Sequence, residues 1–274
     1  MSDSGLFDLR ERTAVVTGGS GVLGRAMAKG LVDAGAQVCI IGRDQNKAEQ
    51  VAREFASAHD RVLALSADVT QRAALERAAE QILARWERID ILVNAAGGNR
   101  PDATVTANQT FFDLPREALG AAVDSNLLGT ILPCQVLGKA LADARAGSII
   151  NISSMSASRP LTRVVAYAAS KAAVENFTRW LAVYMAREVS PQIRVNAIAP
   201  GFFLGEQNRA MLVDATTGEL TPRGRAIIEH TPAGRFGEPT DLVGTLLWLA
   251  SPASAFVTGI VVPVDGGFSA FSGV

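Results

Sequence analysis

The chain has 274 residues, 26 Lys plus Arg against 27 Asp plus Glu, and 48% hydrophobic residues, enough to bury a large core. A formal net charge of -1 gives no electrostatic footprint for nucleic acid or an anionic membrane, and two isolated cysteines, Cys39 and Cys134, exclude a disulfide scaffold or a zinc cluster. Met1 to Arg12 lacks the basic and apolar regions of a signal peptide and no apolar run reaches spanning length, so a cytoplasmic protein with no nucleic-acid, membrane or metal partner is expected.

Short runs rich in Val, Ile and Leu predict seven strands: Thr13 to Thr17, Gln37 to Ile41, Arg61 to Leu65, Ile89 to Asn94, Gly147 to Ile152, Gln192 to Ile198 and Gly259 to Val264. Between them, helical periodicity covers Val22 to Ala34, Asp44 to Ala58, Thr70 to Arg88, Pro115 to Ala144, Val164 to Val189 and Pro239 to Ala250. Asp44 and Thr70 fit N-caps, and Pro115 and Pro239 suit a first helical turn. The alternation predicts an α/β fold, a Rossmann-type doubly wound parallel sheet with helices on both faces. No linker or repeat interrupts it, so residues 1–274 read as one dinucleotide-binding and catalytic domain, with 1–11 a tail and 201–238 a loop lying over the substrate.

The first strand runs into Thr17-Gly18-Gly19-Ser20-Gly21-Val22-Leu23-Gly24 and then a helix. Gly19, Gly21 and Gly24 spell G-x-G-x-x-G in the strand-turn-helix context that lets backbone amides approach a pyrophosphate. At the end of the second strand, where a carboxylate favours NAD, the chain has Gly42-Arg43-Asp44. Arg43 could pair with a 2'-phosphate, which favours NADP; a solvated Arg43 or an inward Asp44 would leave NAD as the alternative.

Tyr167 and Lys171 lie four residues apart, one turn along a helix face, where an ammonium would favour the phenolate and allow proton transfer near neutral pH. Ser154, thirteen residues earlier at the end of a strand, could hold a carbonyl oxygen. With Asn94-Ala95-Ala96-Gly97 and Pro200-Gly201, this ordered set resembles the motifs of the short-chain dehydrogenase/reductase family over nearly the whole chain.

The resemblance implies Tyr167 as general acid/base, Lys171 as the residue that lowers its pKa and binds the nicotinamide ribose, and Ser154 as the group that orients the substrate carbonyl. It also implies that Asn126 supports a proton-relay water, that Asp68 and Val69 meet the adenine, that Phe203 joins Pro200 and Gly201 at the cofactor, and that the chain is a homotetramer. Two positions depart from the family pattern: Val22 stands where glycine is usual, and Gly205 where a threonine often binds the carboxamide.

Within the family, Asn94 to Asn99, Ser125 to Thr130, Ile150 to Met155, Ala199 to Leu204, Glu206 to Arg209 and Val264 to Ala270 resemble the short-chain-type D-mannonate oxidoreductases, or fructuronate reductases. That likeness implies a small-molecule substrate, a six-carbon sugar acid reduced at a ketone. A hydroxylated acid needs a cation for its carboxylate and amides for its hydroxyls, and Asn99, Arg163, Gln207, Asn208 and Arg209 could supply them. Phe202 and Phe203 suit packing of the covering loop. His59 and His230 show no partner pattern. A 3-oxoacyl thioester or a polyol ketone is the alternative substrate, and a non-catalytic dinucleotide sensor the alternative function.

Overall fold

Strand residues alternate between two apolar cores, one on each face of a single sheet. The computed structural model describes residues 5–55, 60–205, 209 and 211–273; His59, Gln207, Asn208 and the first residues of the predicted tail lie outside the described residues. The strands are β1 (Thr13–Thr17), β2 (Gln37–Gly42), β3 (Val62–Ser66), β4 (Ile91–Asn94), β5 (Gly147–Ile152), β6 (Ile193–Pro200) and β7 (Val261–Val264). They pair in parallel in the order β3-β2-β1-β4-β5-β6-β7, as the predicted class requires.

Ala14, Val16, Val38, Ile40 and Val93 enter one core, and Val15, Cys39, Ile41 and Leu92 the other. A side-chain period of two explains why these strands are apolar throughout: both faces are covered by helices. The helices are α1 (Val22–Asp33), α2 (Gln45–Glu54), α3 (Arg72–Trp86), α4 (Arg116–Val123), α5 (Gly129–Val136), α6 (Gly138–Ala144), α7 (Val165–Tyr184), α8 (Pro222–Glu229) and α9 (Val243–Ala250). Leu31, Leu246 and Leu249 from α1 and α9 fill the first core, and Leu75, Ile82, Leu141 and Leu181 from α3, α6 and α7 fill the second.

Asp44 caps α2, accepting the Lys47 amide at 3.2 Å. Thr70 does not cap α3. Its amide and hydroxyl both donate to Asp68 Oδ1, at 2.9 and 2.7 Å, so the helix begins at Arg72. Pro115 is itself the N-cap of α4, and Pro239 opens a 3-10 turn before α9.

The expected single helix from Pro115 to Ala144 is broken by a π turn at Asp124–Leu128, which buries Asn126 completely. By length and composition Arg116–Ala144 could cross a membrane, contrary to the expectation that no run is long enough. In the fold it packs against α3 and α7, with Cys134, Leu137 and Leu141 in the core.

The stretch expected to be loop, 201–238, holds α8. Its start signal was present: Thr221 accepts the Gly224 amide at 3.1 Å and Pro222 occupies the first turn. A small cluster of Leu212, Val213, Ile227, Phe202, Leu220 and Phe268 ties this segment down.

Candidate active site

The ends of β1, β4, β5, β6 and β7 open on one edge of the sheet, and the strand order reverses between β1 and β4. Crevices at such a switch point are where open parallel sheets take ligands. Gly18 to Gly24 follow β1, Asn94 to Gly97 close and follow β4, Ser154 follows β5 and Pro200 to Phe203 close and follow β6, whereas Arg43 follows β2 and Asp68 and Val69 follow β3.

At the glycine turn, the residues that cannot bear a side chain are Gly18, Gly19 and Gly24, not the Gly19, Gly21 and Gly24 of the simple pattern. Gly18 has φ +65°, and a Cβ there would meet the Ala95 carbonyl and the Ala96 backbone at 2.7 Å. A Cβ on Gly19 would meet Ile40 at 2.9 Å, and one on Gly24 the Gly18 carbonyl at 2.2 Å. At Gly21 the nearest contact is 3.3 Å, and its backbone is extended. Val22 is accommodated as the first residue of α1, half exposed, near Gly205.

Because Gly21 is the N-cap of α1 and makes no side-chain cap, the first-turn amides have no acceptor among the described residues. That suits a pyrophosphate, whose charge the helix start favours. Behind the turn, a Cβ on Gly42 would lie 2.6 Å from Ser20 Oγ, so Ser20 occupies the space beside the position where NAD enzymes of this type carry a carboxylate. Arg43 is exposed, and its guanidinium has no hydrogen bond or ion pair among the described residues.

Asp68 is half-buried with one oxygen committed to Thr70, and Val69 packs against Gly129. The Asn94 side chain is buried, its amide donating to Asn151 Oδ1 at 2.9 Å and Cys134 Sγ at 3.1 Å, so it braces β4 against β5. Burial pushes the Cys134 thiol up to about 12, leaving it an inert neighbour.

Ala95 and Ala96 are tied to Thr17 by amide donations at 3.2 and 3.3 Å. Gly97, at φ +129°, stands where a Cβ would meet Asn126 Oδ1 at 2.6 Å. The Asn126 amide is spent on backbone: Oδ1 accepts the Gly98 amide and Nδ2 donates to the Gly98 carbonyl, both at 2.9 Å. The side chain therefore clamps the loop after β4.

Ser154, Tyr167 and Lys171 come together where β5 meets α7. Ser154 Oγ accepts from the Ser156 amide at 3.2 Å and the Ser156 hydroxyl at 3.0 Å, and it shares a hydrogen bond with Tyr167. Ser156 was missed by sequence reasoning; the 3-10 turn Met155–Ala157 after β5 puts it there.

The Lys171 ammonium is buried, donates to the Ile152 carbonyl at 2.7 Å and lies 5.7 Å from the centre of the Tyr167 ring. Burial pulls it down to about 8. Burial also raises Tyr167 above the usual phenol value, against the lowering from Ser154. Desolvation is the leading cause at both groups, and the ammonium is directed at the Ile152 carbonyl.

On the far side, Pro200 is buried and Gly201 sits against Asp265, where a Cβ would approach to 2.6 Å. Asp265 accepts the Gly267 and Ser269 amides, both at 2.9 Å, which shapes the turn after β7. The Phe203 ring is buried against Gly237, and Phe202 meets Phe268 edge-on. Asn99 is exposed and bonded to Thr104, Arg163 is exposed at the entry to α7, and Arg209 is exposed with its amide donating to the Gly205 carbonyl at 2.9 Å. Arg159 donates to the Ser269 carbonyl. His230 lies against Phe268 and Phe271, away from the site.

Residues 19–269 match the family model described as enoyl-(acyl carrier protein) reductase. The uncharacterised oxidoreductase UxuB of Bacillus subtilis is 48% identical over 97% of this chain and 98% of its own. A crystal structure from Haemophilus influenzae, provisionally named a D-mannonate oxidoreductase and holding NAD, superposes with a TM-score of 0.91 at 41% identity, covering 97% of this chain and 98% of that one. A Burkholderia cenocepacia gluconate 5-dehydrogenase, crystallised with NADP and tartrate, gives 0.86 at 33% identity, covering 98% and 99%.

Proposed function

The chain belongs to the short-chain dehydrogenase/reductase family of NAD(P)-dependent oxidoreductases, and on that premise we propose that it interconverts a sugar-acid ketone and its alcohol, with D-fructuronate and D-mannonate the intended pair. The observation that carries the reading is the Ser154–Tyr167–Lys171 cluster beside a glycine turn whose helix amides are open to a pyrophosphate.

The nicotinamide supplies or accepts the hydride at the carbonyl carbon. In the reducing direction the protein's part is to hold and protonate. Ser154 donates to the carbonyl oxygen, its own lone pairs being occupied by Ser156. Tyr167 gives its phenolic proton to that oxygen as negative charge develops there, which completes the alcohol. Lys171, one turn away, stabilises the phenolate that remains and would hold the nicotinamide ribose. Asn126 fixes the loop after β4 that borders the cofactor.

NADP is the favoured dinucleotide, on the strength of the unpaired Arg43 and the missing carboxylate at Gly42. The NAD held by the Haemophilus protein supports acceptance of either. The names of the relatives and the polar, cationic mouth around Asn99 and Arg163 favour a hydroxylated acid over an acyl chain, which needs an apolar slot.

Initial rates of NADPH and NADH oxidation with D-fructuronate, beside an acetoacetyl thioester, test the proposal. Turnover of the sugar acid and not the thioester is expected; the reverse overturns the substrate assignment. Dinucleotide binding without hydride transfer to any ketone would overturn the enzymatic role.

A further inference from the structure

Three consecutive residues at the end of β5 each bond to α7. The Asn151 amide donates to Thr178 Oγ1 at 2.9 Å, the Ile152 carbonyl accepts the Lys171 ammonium at 2.7 Å, and the Ser153 hydroxyl donates to Glu175 Oε1 at 3.0 Å. Ser153 Oγ is also 3.3 Å from the Lys171 carbonyl. A hydroxyl has one proton to give, and the shorter contact with the charged acceptor takes the larger share of it.

Ser153 is buried and immediately precedes Ser154. Its own amide donates to the Ile198 carbonyl of β6 at 2.8 Å, so it is fixed to the sheet by its backbone and to α7 by its side chain. The Glu175 side chain is 13% exposed, and its Oε2 stands 3.6 Å from Arg179, which is 54% exposed. An ion pair that open to water contributes little and does not account for a carboxylate held against the sheet. The bond from Ser153 does, because a largely buried carboxylate needs a donor.

The chemistry gives that bond its weight. Ser154 comes from the strand and Tyr167 and Lys171 from the helix, yet the two hydroxyls have to meet at one carbonyl oxygen, where a misplacement of about 1 Å can cost about a hundredfold. Whatever sets the end of β5 against α7 therefore sets the catalytic geometry. The Asn151–Thr178 bond lies about two turns beyond Lys171, whereas Glu175 lies about one turn from it and holds the residue next to Ser154.

We propose that Glu175 is a positioning residue for the reaction, acting through Ser153 to hold Ser154 in register with Tyr167 and Lys171. The inference rests on the oxidoreductase reading of that cluster and is independent of which ketone is reduced.

The test is a double-mutant cycle of Glu175→Ala and Ser153→Ala, with Glu175→Gln beside it, on whichever ketone wild type reduces fastest among D-fructuronate, a polyol ketone and an acetoacetyl thioester. Glu175→Ala should lower kcat by about tenfold, with the KM for ketone and for dinucleotide changed by less than about twofold. Glu175→Gln, whose amide oxygen still accepts from Ser153, should recover kcat to within about threefold of wild type. Ser153→Ala should lose about as much as Glu175→Ala, and the double variant no more than either alone. Should Glu175→Ala not fold, Glu175→Gln takes its place in the cycle, its threefold loss vanishing in the Ser153→Ala background. Losses that multiply in the double variant, a loss confined to KM, or wild-type kcat in Glu175→Ala would each overturn the proposal. If no ketone is reduced, the enzymatic reading fails by itself, and crystal structures of wild type and Glu175→Ala decide the positioning role. Loss of the Ser154–Tyr167 hydrogen bond in the variant keeps it; an unchanged bond removes it.

Discussion

Lys171 donates to the Ile152 carbonyl at 2.7 Å, so the end of β5 and the base of α7 are joined by a buried ammonium. Its pKa falls from 10.5 to about 8 through burial. Between those values the unfolded chain holds a proton that the folded chain has released, so this group makes stability rise with pH across that window. Below pH 8 the full cost of the buried charge, about 3 kcal/mol, is present.

Lys171→Met should therefore stabilise the cofactor-free protein at pH 7 while abolishing turnover. Losing the bond to Ile152 gives back about 1 kcal/mol, leaving a net gain of about 2 kcal/mol. Thermal melts at pH 7 and pH 10 check this: the gain should be present at the lower pH and shrink at the higher. A variant less stable than wild type at pH 7 contradicts the sign.

Tyr167→Phe removes the proton donor and leaves the ring. Turnover should fall by about a hundredfold to ten-thousandfold with dinucleotide affinity unchanged. Stopped-flow binding beside steady-state rates separates the two, and weakened binding with normal kcat at saturation would refute the role.

Ser156→Ala removes the hydroxyl that donates to Ser154 Oγ at 3.0 Å. Ser154 then loses part of its orientation and kcat should drop by about tenfold, the value of one hydrogen bond, with less effect on the KM for dinucleotide. Ser154→Ala should cost more. Equal rates for Ser156→Ala and wild type would show that the bond carries no catalytic weight.

Ser20 and Gly42 are sterically linked, a Cβ at residue 42 lying 2.6 Å from Ser20 Oγ. Gly42→Asp alone should impair both dinucleotides, whereas Ser20→Gly with Gly42→Asp should shift kcat/KM toward NADH. Arg43→Ala should lower the NADPH preference by about tenfold. A single Gly42→Asp that simply favours NADH would show that Ser20 moves freely.

On α7, Trp180 is 57% exposed and stacks on Tyr184 at 5.3 Å and near Phe177 at 6.3 Å. An aromatic face of that kind suits an interface between copies of the chain better than solvent. Trp180→Glu should shift sedimentation velocity toward smaller species, and an unchanged profile would move the interface elsewhere.

The strands and their parallel class were legible because β-branched runs bounded by turns are a local signal, and β1 and β5 begin and end where the residue pattern says. Ser154, Tyr167 and Lys171 were legible for the same reason: strand end and helix turn are short-range facts. Other features depend on residues far apart in the chain. Gly18, rather than Gly21, is obligatory because Ala95 and Ala96 press on it from β4, and Asn94 turns inward because Cys134 and Asn151 await it. The break at Asn126 appears only once Gly98 offers both backbone groups to its amide. Periodicity and turn chemistry determined the elements and the order of the site residues. Tertiary packing decided which side chains face the crevice, because burial and partner geometry are set by neighbours that sequence separation conceals.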